Sequence, residues 1–587
     1  MKSRIPWLLI LAAGLAACPG AAQELPANVA PGQAVEAAKA PPPPDLLRPR
    51  IAPPQQILGH EAHYDPAGRL LAWHRPETPG AAYDRVVRIA ARFVRDGVPL
   101  DPKTGLPIYF VSCSFNGPQF SSEEAFRAGK TWDDWMNNPA CFFAGAVQSL
   151  ALDYRAYSGE PGYVELVRRM LDHQLEFGTT PADWPWGGVP YASADPGNPV
   201  YAGATRWENA GMRGDGLHGI EPDKVGELGV GYLKFYQLTE ENKYLEAALR
   251  CADALARHVR DVTVGGGDFA DTQAHVSPWP YRANARTGVV IDAYTANVIE
   301  PIRLLEELLR IRGRIALPPA RASAYERARR LASDWLFSRN GPLVTAVWNG
   351  YFEDVPSDPR LGNRVQNIPM ETIRHLLKHP PADVDVERHA VALLAWVKSA
   401  FGEPGEPSIN EQSWCYIPMG SHTARYASVN ALMYERTGDP RYKAEAAEHF
   451  NWAAYCTAEN GIVSVGPRWT GTWWSDGYGD YIKHFMEGLA AVPEWAPAGE
   501  NHLLRSSSVV QQVRYTPVEI SYRTFDPSGR ERFRLVERPR GITVDGQPVP
   551  EEPRLAEQSW TWRPLEQGGG VLEIARAAGR DVTITLR

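Results

Sequence analysis

The stretch RWENAGMRGDGLHGIEPDKVGELGVG, from Arg206 to Gly231, crowds ionisable side chains together and then runs into small residues. Two of its carboxyl groups, Asp215 and Glu221, are of the kind that cleaves a glycosidic bond. One such group stays protonated and donates to the leaving oxygen; the other stays ionised and serves as base or nucleophile. Glu411 in NEQSW and Asp476 in WWSDGYGDY offer further carboxyls beside aromatic rings. The segment HVSPWPYR suits a different chemistry. His275 or Tyr281 could take the C5 proton of a uronate whose carboxylate Arg282 neutralises, as in lyases and C5-epimerases. Plainer explanations exist for these residues. GDG at 214–216 fits a turn, and EPDK at 221–224 fits a helix start with Pro222 in the first position.

Rings and cations surround these groups. Trp184, Trp186, Trp279, Trp348, Trp414, Trp473, Trp474 and Tyr478 fall in loops rich in glycine and proline, where a flat ring can stack on the apolar face of a pyranose. Arg206, His218, Arg282 and Arg425 add hydrogen-bond donors. Arginine binds carboxylates with two parallel hydrogen bonds, so several of them point to a uronic-acid-containing or otherwise anionic glycan. The alternative is that they pair with the loops' own acidic residues.

Something must position these loops. Three segments share one pattern: YRAYSGEPGYVELVRRMLDHQLEF from Tyr154, YLKFYQLTEENKYLEAALRCADALARHV from Tyr232, and ALMYERTGDPRYKAEAAEHFNWAAYC from Ala431. Each reads as a helix, a short polar turn, and a second helix with apolar residues at i, i+3, i+4 and i+7. The pattern extends to amphipathic outer helices near 83–97, 162–178, 243–259, 323–337, 386–400 and 442–456. Inner helices rich in small residues fall near 140–156, 224–238, 290–310, 367–378, 421–437 and 479–490. Connections from inner to outer helices are short. Those from outer to inner helices are long and carry the candidate residues, as functional loops do. This alternation, with the TGDPRY style of turn, resembles the (α/α)6 six-hairpin toroid of glycoside hydrolases, polysaccharide lyases and uronyl epimerases, over residues 81–497. The resemblance implies a mainly α fold and a saccharide substrate. After residue 497, short alternating runs such as VEISYRTFD, GITVDGQPV and DVTITLR predict a small β-sandwich-like domain over 498–587.

The N-terminus reads as a targeting segment. Lys2 and Arg4 precede an apolar run too short to span a membrane as a mature helix. LAAC, Leu15 to Cys18, resembles a bacterial lipobox, which implies a lipid anchor on Cys18 and export to the outer membrane or periplasm, with the cell surface as an alternative. Ordinary secretion, with cleavage after Ala22, is the alternative to this signal peptide over 1–22. Residues 23–55 form a proline-rich tether, and 56–80 a short lead-in with a hairpin around His60 and His63. The formal charge of −8 over 587 residues speaks against a nucleic-acid partner. Cysteine spacing suggests no structural zinc, no metal and no cofactor motif are read, and phosphate-cradling or G-x-S-x-G signatures are absent from the sequence. The residues point first to a glycoside hydrolase using carboxylate acid–base catalysis. A lyase or epimerase with a Tyr or His base stands second, and a non-catalytic glycan-binding lipoprotein third.

Overall fold

The computed structural model describes residues 56–57, 60–98, 114–116, 138–205, 215–262, 276–350, 363–411, 418–466 and 472–587, apart from 196, 197, 199, 339, 340, 346, 347, 383 and 465. The targeting segment and the tether lie outside these residues.

Twelve principal helices alternate along the described chain. The outer ones are α1 (Ala81–Arg92), α3 (Tyr163–Phe177), α5 (Asn242–His258), α7 (Pro319–Phe337), α9 (Val386–Phe401) and α11 (Pro440–Ala454). The inner ones are α2 (Pro139–Ala146, continued by a π-helical segment Val147–Tyr154 and Arg155–Ser158), α4 (Pro222–Thr239), α6 (Ile299–Arg310), α8 (Asn367–Lys378), α10 (Gly420–Thr437) and α12 (Ser475–Ala491). Each inner helix touches the next, and α12 returns to α2, so the six close into a ring. The outer helices pack on them pair by pair: α3 on α2, α5 on α4, α7 on α6, α9 on α8, α11 on α10 and α1 on α12. This is the (α/α)6 toroid.

Local chemistry fixes the hairpins. Thr437–Gly438–Asp439–Pro440 turns α10 into α11. Gly438 takes a left-handed φ of 71° at the helix end, the Asp439 side chain caps the Arg441 N–H, and Pro440 occupies the first turn. The small residues of the inner helices serve close approach. A side chain at Gly226 of α4 would place its first carbon 2.4 Å from the Pro301 backbone nitrogen of α6. Gly145 of α2 and Gly479 of α12 face each other in the same way, 3.2 Å from the added carbon to the opposing Cα.

One expected helix starts later than its sequence pattern. The run from 290 begins as strand Val290–Asp292, and α6 begins only at Ile299. VVID is β-branched and follows a turn, so it pairs with strand Arg282–Asn284 instead of coiling. Three strands, β1 (Gly219–Ile220), β2 (Arg282–Asn284) and β3 (Val290–Asp292), thus tie the second long loop to the third.

The C-terminal sandwich has β4 (His502–Ser506), β5 (Val510–Tyr515), β6 (Glu519–Thr524), β7 (Gly529–Leu535), β8 (Gly541–Val544), β9 (Gln547–Val549), β10 (Ser559–Pro564), β11 (Gly570–Arg576) and β12 (Asp581–Thr585). One sheet has the order β4-β7-β11-β10, the other β5-β6-β12-β8-β9. The sandwich has its own apolar core, including Ile520, Phe533, Leu572 and Ile584. It docks on the ring at the end opposite the long loops. There, Arg505 reaches Glu435 and Glu487 at 2.9 Å, and His502 stacks on Tyr157 at 3.9 Å.

Candidate active site

All the long loops enter the N-terminal ends of inner helices, so the first turns of those helices line the mouth of the ring. A buried brace sits at the entry of α4. The Arg282 Nε–H lies 3.0 Å from Asp215 and 3.4 Å from Glu221, and Nη1 lies 3.4 Å from Asp292. Lys224 Nζ reaches Glu221 at 3.0 Å, and the Ser193 hydroxyl donates to Asp215 at 2.6 Å. Burial alone would raise the Asp215 carboxyl. The Arg282 charge and a hydrogen bond with Glu221 outweigh it and bring Asp215 down to about 2. Asp215 and Glu221 therefore form one hydrogen-bonded pair on a shared guanidinium. They are not two groups held apart by the roughly 5–9.5 Å that a glycosidic bond requires between acid and partner. This corrects the expectation that they flank a scissile bond: their geometry is that of a strut joining two mouth loops.

The second polar centre lies deeper, where α4, α6, α8, α10 and α12 face one another. Arg425 of α10 binds Glu371 of α8 at 3.0 Å and also Asp480 of α12. Arg374 reaches Glu371 at 2.6 Å, Lys483 reaches Asp480 at 2.7 Å, and His484 Nε2 lies 3.4 Å from Glu371. These cations overcome the effect of burial. Arg374 and Lys483 hold Glu371 well below the usual carboxylate range, and Arg425 and Lys483 do the same for Asp480. Glu227 of α4 goes the other way. Burial first, then the charges of Glu300, Asp480 and Asp223, push its carboxyl well up against the pull of Lys483. Glu227 and Asp480 are both only partly covered, with 21% of the Asp480 side chain exposed.

Of the two imidazoles of this centre, His422 has a fixed tautomer. Arg425 Nη1 can only donate, so His422 Nδ1, 2.6 Å away, accepts, and His422 keeps its hydrogen on Nε2. The Ser428 hydroxyl gives its one hydrogen to the Arg425 carbonyl at 2.8 Å. His484 Nδ1 lies 3.0 Å from the same hydroxyl, and the ionised Glu371 carboxylate lies 3.4 Å from Nε2, so the serine favours a hydrogen on Nδ1 and the carboxylate one on Nε2. Burial holds His422 well below its ordinary value and His484 down to about 3, so both rings are neutral.

Glu371, Asp480 and His484 bring three ligand-type atoms within 4.8 Å of one another. Arg374, Arg425 and Lys483 already occupy the carboxylates, and a divalent ion would meet their three positive charges. The set suits an ion-pair network, not a metal.

The other anticipated residues divide clearly. Trp186, Trp279 and Trp348 are core, 2%, 1% and 0% exposed, so they are not platforms for a sugar. Trp186 stacks on His258, and the Trp279 indole donates to the Leu255 carbonyl. Arg282 and Arg425 are engaged by the chain's own carboxylates, which corrects the expectation that they receive an anionic substrate. Tyr281 is buried against Arg282, 4.7 Å from ring centre to guanidinium. Trp184 remains partly open and meets His218 edge-on at 4.8 Å. Glu411 sits at the entry of α8, its carbonyl 3.4 Å from the Gln366 amide. Arg206, His275 and Trp414 lie outside the described residues, as do the side chains of Trp473, Trp474, Asp476 and Tyr478. Glu227, Glu371, Arg374, Lys483 and His484 were not anticipated. Their signal was charge at i, i+3 spacing on helices otherwise built of small and apolar residues.

No sequence family matches the chain, and no curated protein aligns with it. Among solved structures, a D-mannose isomerase superposes with a TM-score of 0.47 at 10% identity, covering 70% of this chain and 97% of that one. A sugar epimerase from a ruminal bacterium gives 0.44 at 9%, covering 70% and 99%. An unsaturated glucuronyl hydrolase specific for heparin gives 0.39 at 11%, covering 70% and 96%. Likeness at this level assigns no activity.

Proposed function

We propose that the chain is a glycoside hydrolase acting on a saccharide bound in the mouth of the toroid. Glu227 serves as general acid, and Asp480 or Glu371 as the ionised partner. What supports this is the opposite directions in which burial and neighbouring charges push carboxyls gathered on facing helices: Glu227 up, Asp480 and Glu371 down. Environments that push neighbouring carboxyls apart are the mark of an acid and its base. Arg425 and Lys483 keep Asp480 ionised at working pH, and Trp184 with His218 offers an apolar rim. Arg282 and Arg425 are internally paired, so neutral and uronate oligosaccharides belong in one test. That test follows reducing ends and ultraviolet absorbance together. Release of reducing ends without absorbance supports the hydrolase. An unsaturated, absorbing product instead favours a lyase, and binding without turnover favours a glycan-binding protein.

A second reading is carried by the paired neutral imidazoles. His422 as donor and His484, in its Nδ1–H tautomer, as acceptor could move a proton at a sugar carbon, as an epimerase or isomerase requires. Deuterium uptake from D2O into unhydrolysed sugar would decide for it. We also propose export with a lipid on Cys18; Cys18→Ala should move the protein from the membrane to the soluble fraction.

A further inference from the structure

The hydrolase reading leaves two ionised carboxylates, Glu371 and Asp480, for one role. Their hydrogen bonds separate them. An ionised carboxylate offers about four acceptor sites, two on each oxygen. Glu371 uses all of them. Its Oε2 accepts from Arg374 Nε at 3.0 Å and Nη2 at 2.6 Å. Its Oε1 accepts from Arg425 Nε at 3.0 Å and Lys483 Nζ at 3.4 Å, and His484 Nε2 lies 3.4 Å from the same oxygen. Asp480 uses half. Oδ1 accepts from Lys483 Nζ at 2.7 Å, and Oδ2 accepts from Arg425 Nη2. Each Asp480 oxygen therefore keeps a lone pair among the described residues. Its side chain is also the more open, 21% exposed against 12% for Glu371.

The two carboxylates do not act independently. Both donors to Asp480, Arg425 and Lys483, are shared with Glu371. Glu371 is itself fixed from the sandwich side. Arg374, which it binds, also reaches Glu487 at 3.4 Å, and Glu487 is held by Lys378 at 2.7 Å and by Arg505 at 2.9 Å. Glu371 thus sets where the Arg425 fork and the Lys483 ammonium point, and these two set where Asp480 points. To accept from a sugar hydroxyl or a water, Glu371 would have to release an ion pair, and Asp480 would not. We propose, resting on the hydrolase reading, that Asp480 is the catalytic carboxylate that meets the sugar and that Glu371 is its positioning residue, acting through Arg425 and Lys483.

Two measurements on the full chain test this division. The first needs no substrate and compares the melting of Glu371→Gln and Asp480→Asn. Glu371→Gln leaves buried Arg374 with Glu487 alone and should lower Tm by several degrees. Asp480→Asn leaves Arg425 and Lys483 with Glu371 and should lower it by less than half as much. The second uses the p-nitrophenyl glycosides of glucose, mannose, galactose and glucuronic acid. On any that the wild type cleaves, Asp480→Ala should lose roughly 10²–10⁴-fold in kcat, and formate, a carboxylate small enough for the vacated space, should restore about tenfold or more of it. Glu371→Ala should also lose kcat with KM little changed, and formate should restore none. Formate rescue of Glu371→Ala but not of Asp480→Ala, or equal losses of Tm, would overturn the assignment. A wild type that cleaves none of the four, with the melting difference intact, would instead count against the hydrolase reading and the catalytic role of Asp480, leaving Glu371 as the residue that fixes the two cations.

Discussion

Glu227 carries the largest consequence of any single side chain. It is a carboxyl whose proton affinity burial and its acidic neighbours raise well above the ordinary value. If it donates the proton in bond cleavage, Glu227→Gln should lower kcat by roughly 10²–10⁴ while leaving the fold intact. The sign of the pH dependence follows from its raised value. Activity should fall on the alkaline side only as Glu227 loses its proton, at a pH above that of an ordinary carboxyl, whereas the acid limb should lie below pH 4, because Arg425 and Lys483 hold Asp480 ionised there. A pH–rate profile with an alkaline limb tests this. A profile that falls off near pH 4 to 5 on the acid side would place an ordinary carboxylate in the base role.

At the scale of elements, the brace and the close helix contacts make separate demands. Arg282 neutralises three buried carboxyls, Asp215, Glu221 and Asp292, on strands and loops that frame the entry of α4. Arg282→Met removes the cation these carboxyls share and leaves Glu221 with Lys224, 3.0 Å away, and stability should drop by about 3–5 kcal/mol in urea unfolding at pH 7. In the wild type, the Asp215 value is depressed from 3.8 to about 2. Its contribution is therefore complete above about pH 4 and is lost as pH falls towards 2. The variant should show a shallower loss over that window. Gly226→Val tests the ring itself. The added carbon would lie 2.4 Å from backbone that cannot swing aside, and overpacking of this kind costs about 1–3 kcal/mol or more. Much of this layer was legible in the sequence. Residues 367–378 were expected as an inner helix and are one, because the apolar pattern is helical and Pro380 follows close behind. The mouth centre was not legible. Glu371 with Arg374, and Asp480 with Lys483, read as ordinary i, i+3 pairs on a helix surface. Only the closed ring brings α8 and α12 within side-chain reach, with Lys483 3.4 Å from Glu371 and Arg425 of α10 bridging Glu371 and Asp480. The buried tryptophans misled for the converse reason: proline and glycine around Trp279 mark a tight loop, which packs on α5 instead of opening to solvent.

At the scale of the whole molecule, the sandwich is a structural base for the ring. Arg505 joins Glu435 of α10 to Glu487 of α12, Arg532 donates to the Ala490 carbonyl at 2.9 Å, and the Gln511 amide reaches the Gln237 carbonyl of α4 at 2.9 Å. These contacts clamp the C-terminal ends of three inner helices whose N-terminal ends hold the candidate acid and its partners. Glu487 also accepts from Arg374, so the clamp reaches the mouth centre through one shared carboxylate. Removing 498–587 would strip Arg505 and Arg532 from Glu435 and Glu487, leaving two carboxylates short of partners beside newly exposed apolar surface. The truncated chain should aggregate or melt at least about 5 °C lower, and any soluble fraction should lose activity although every mouth residue is present. The intact chain should unfold in one calorimetric transition. Two well-separated transitions, or a truncated ring with full activity, would make the sandwich an independent appendage instead.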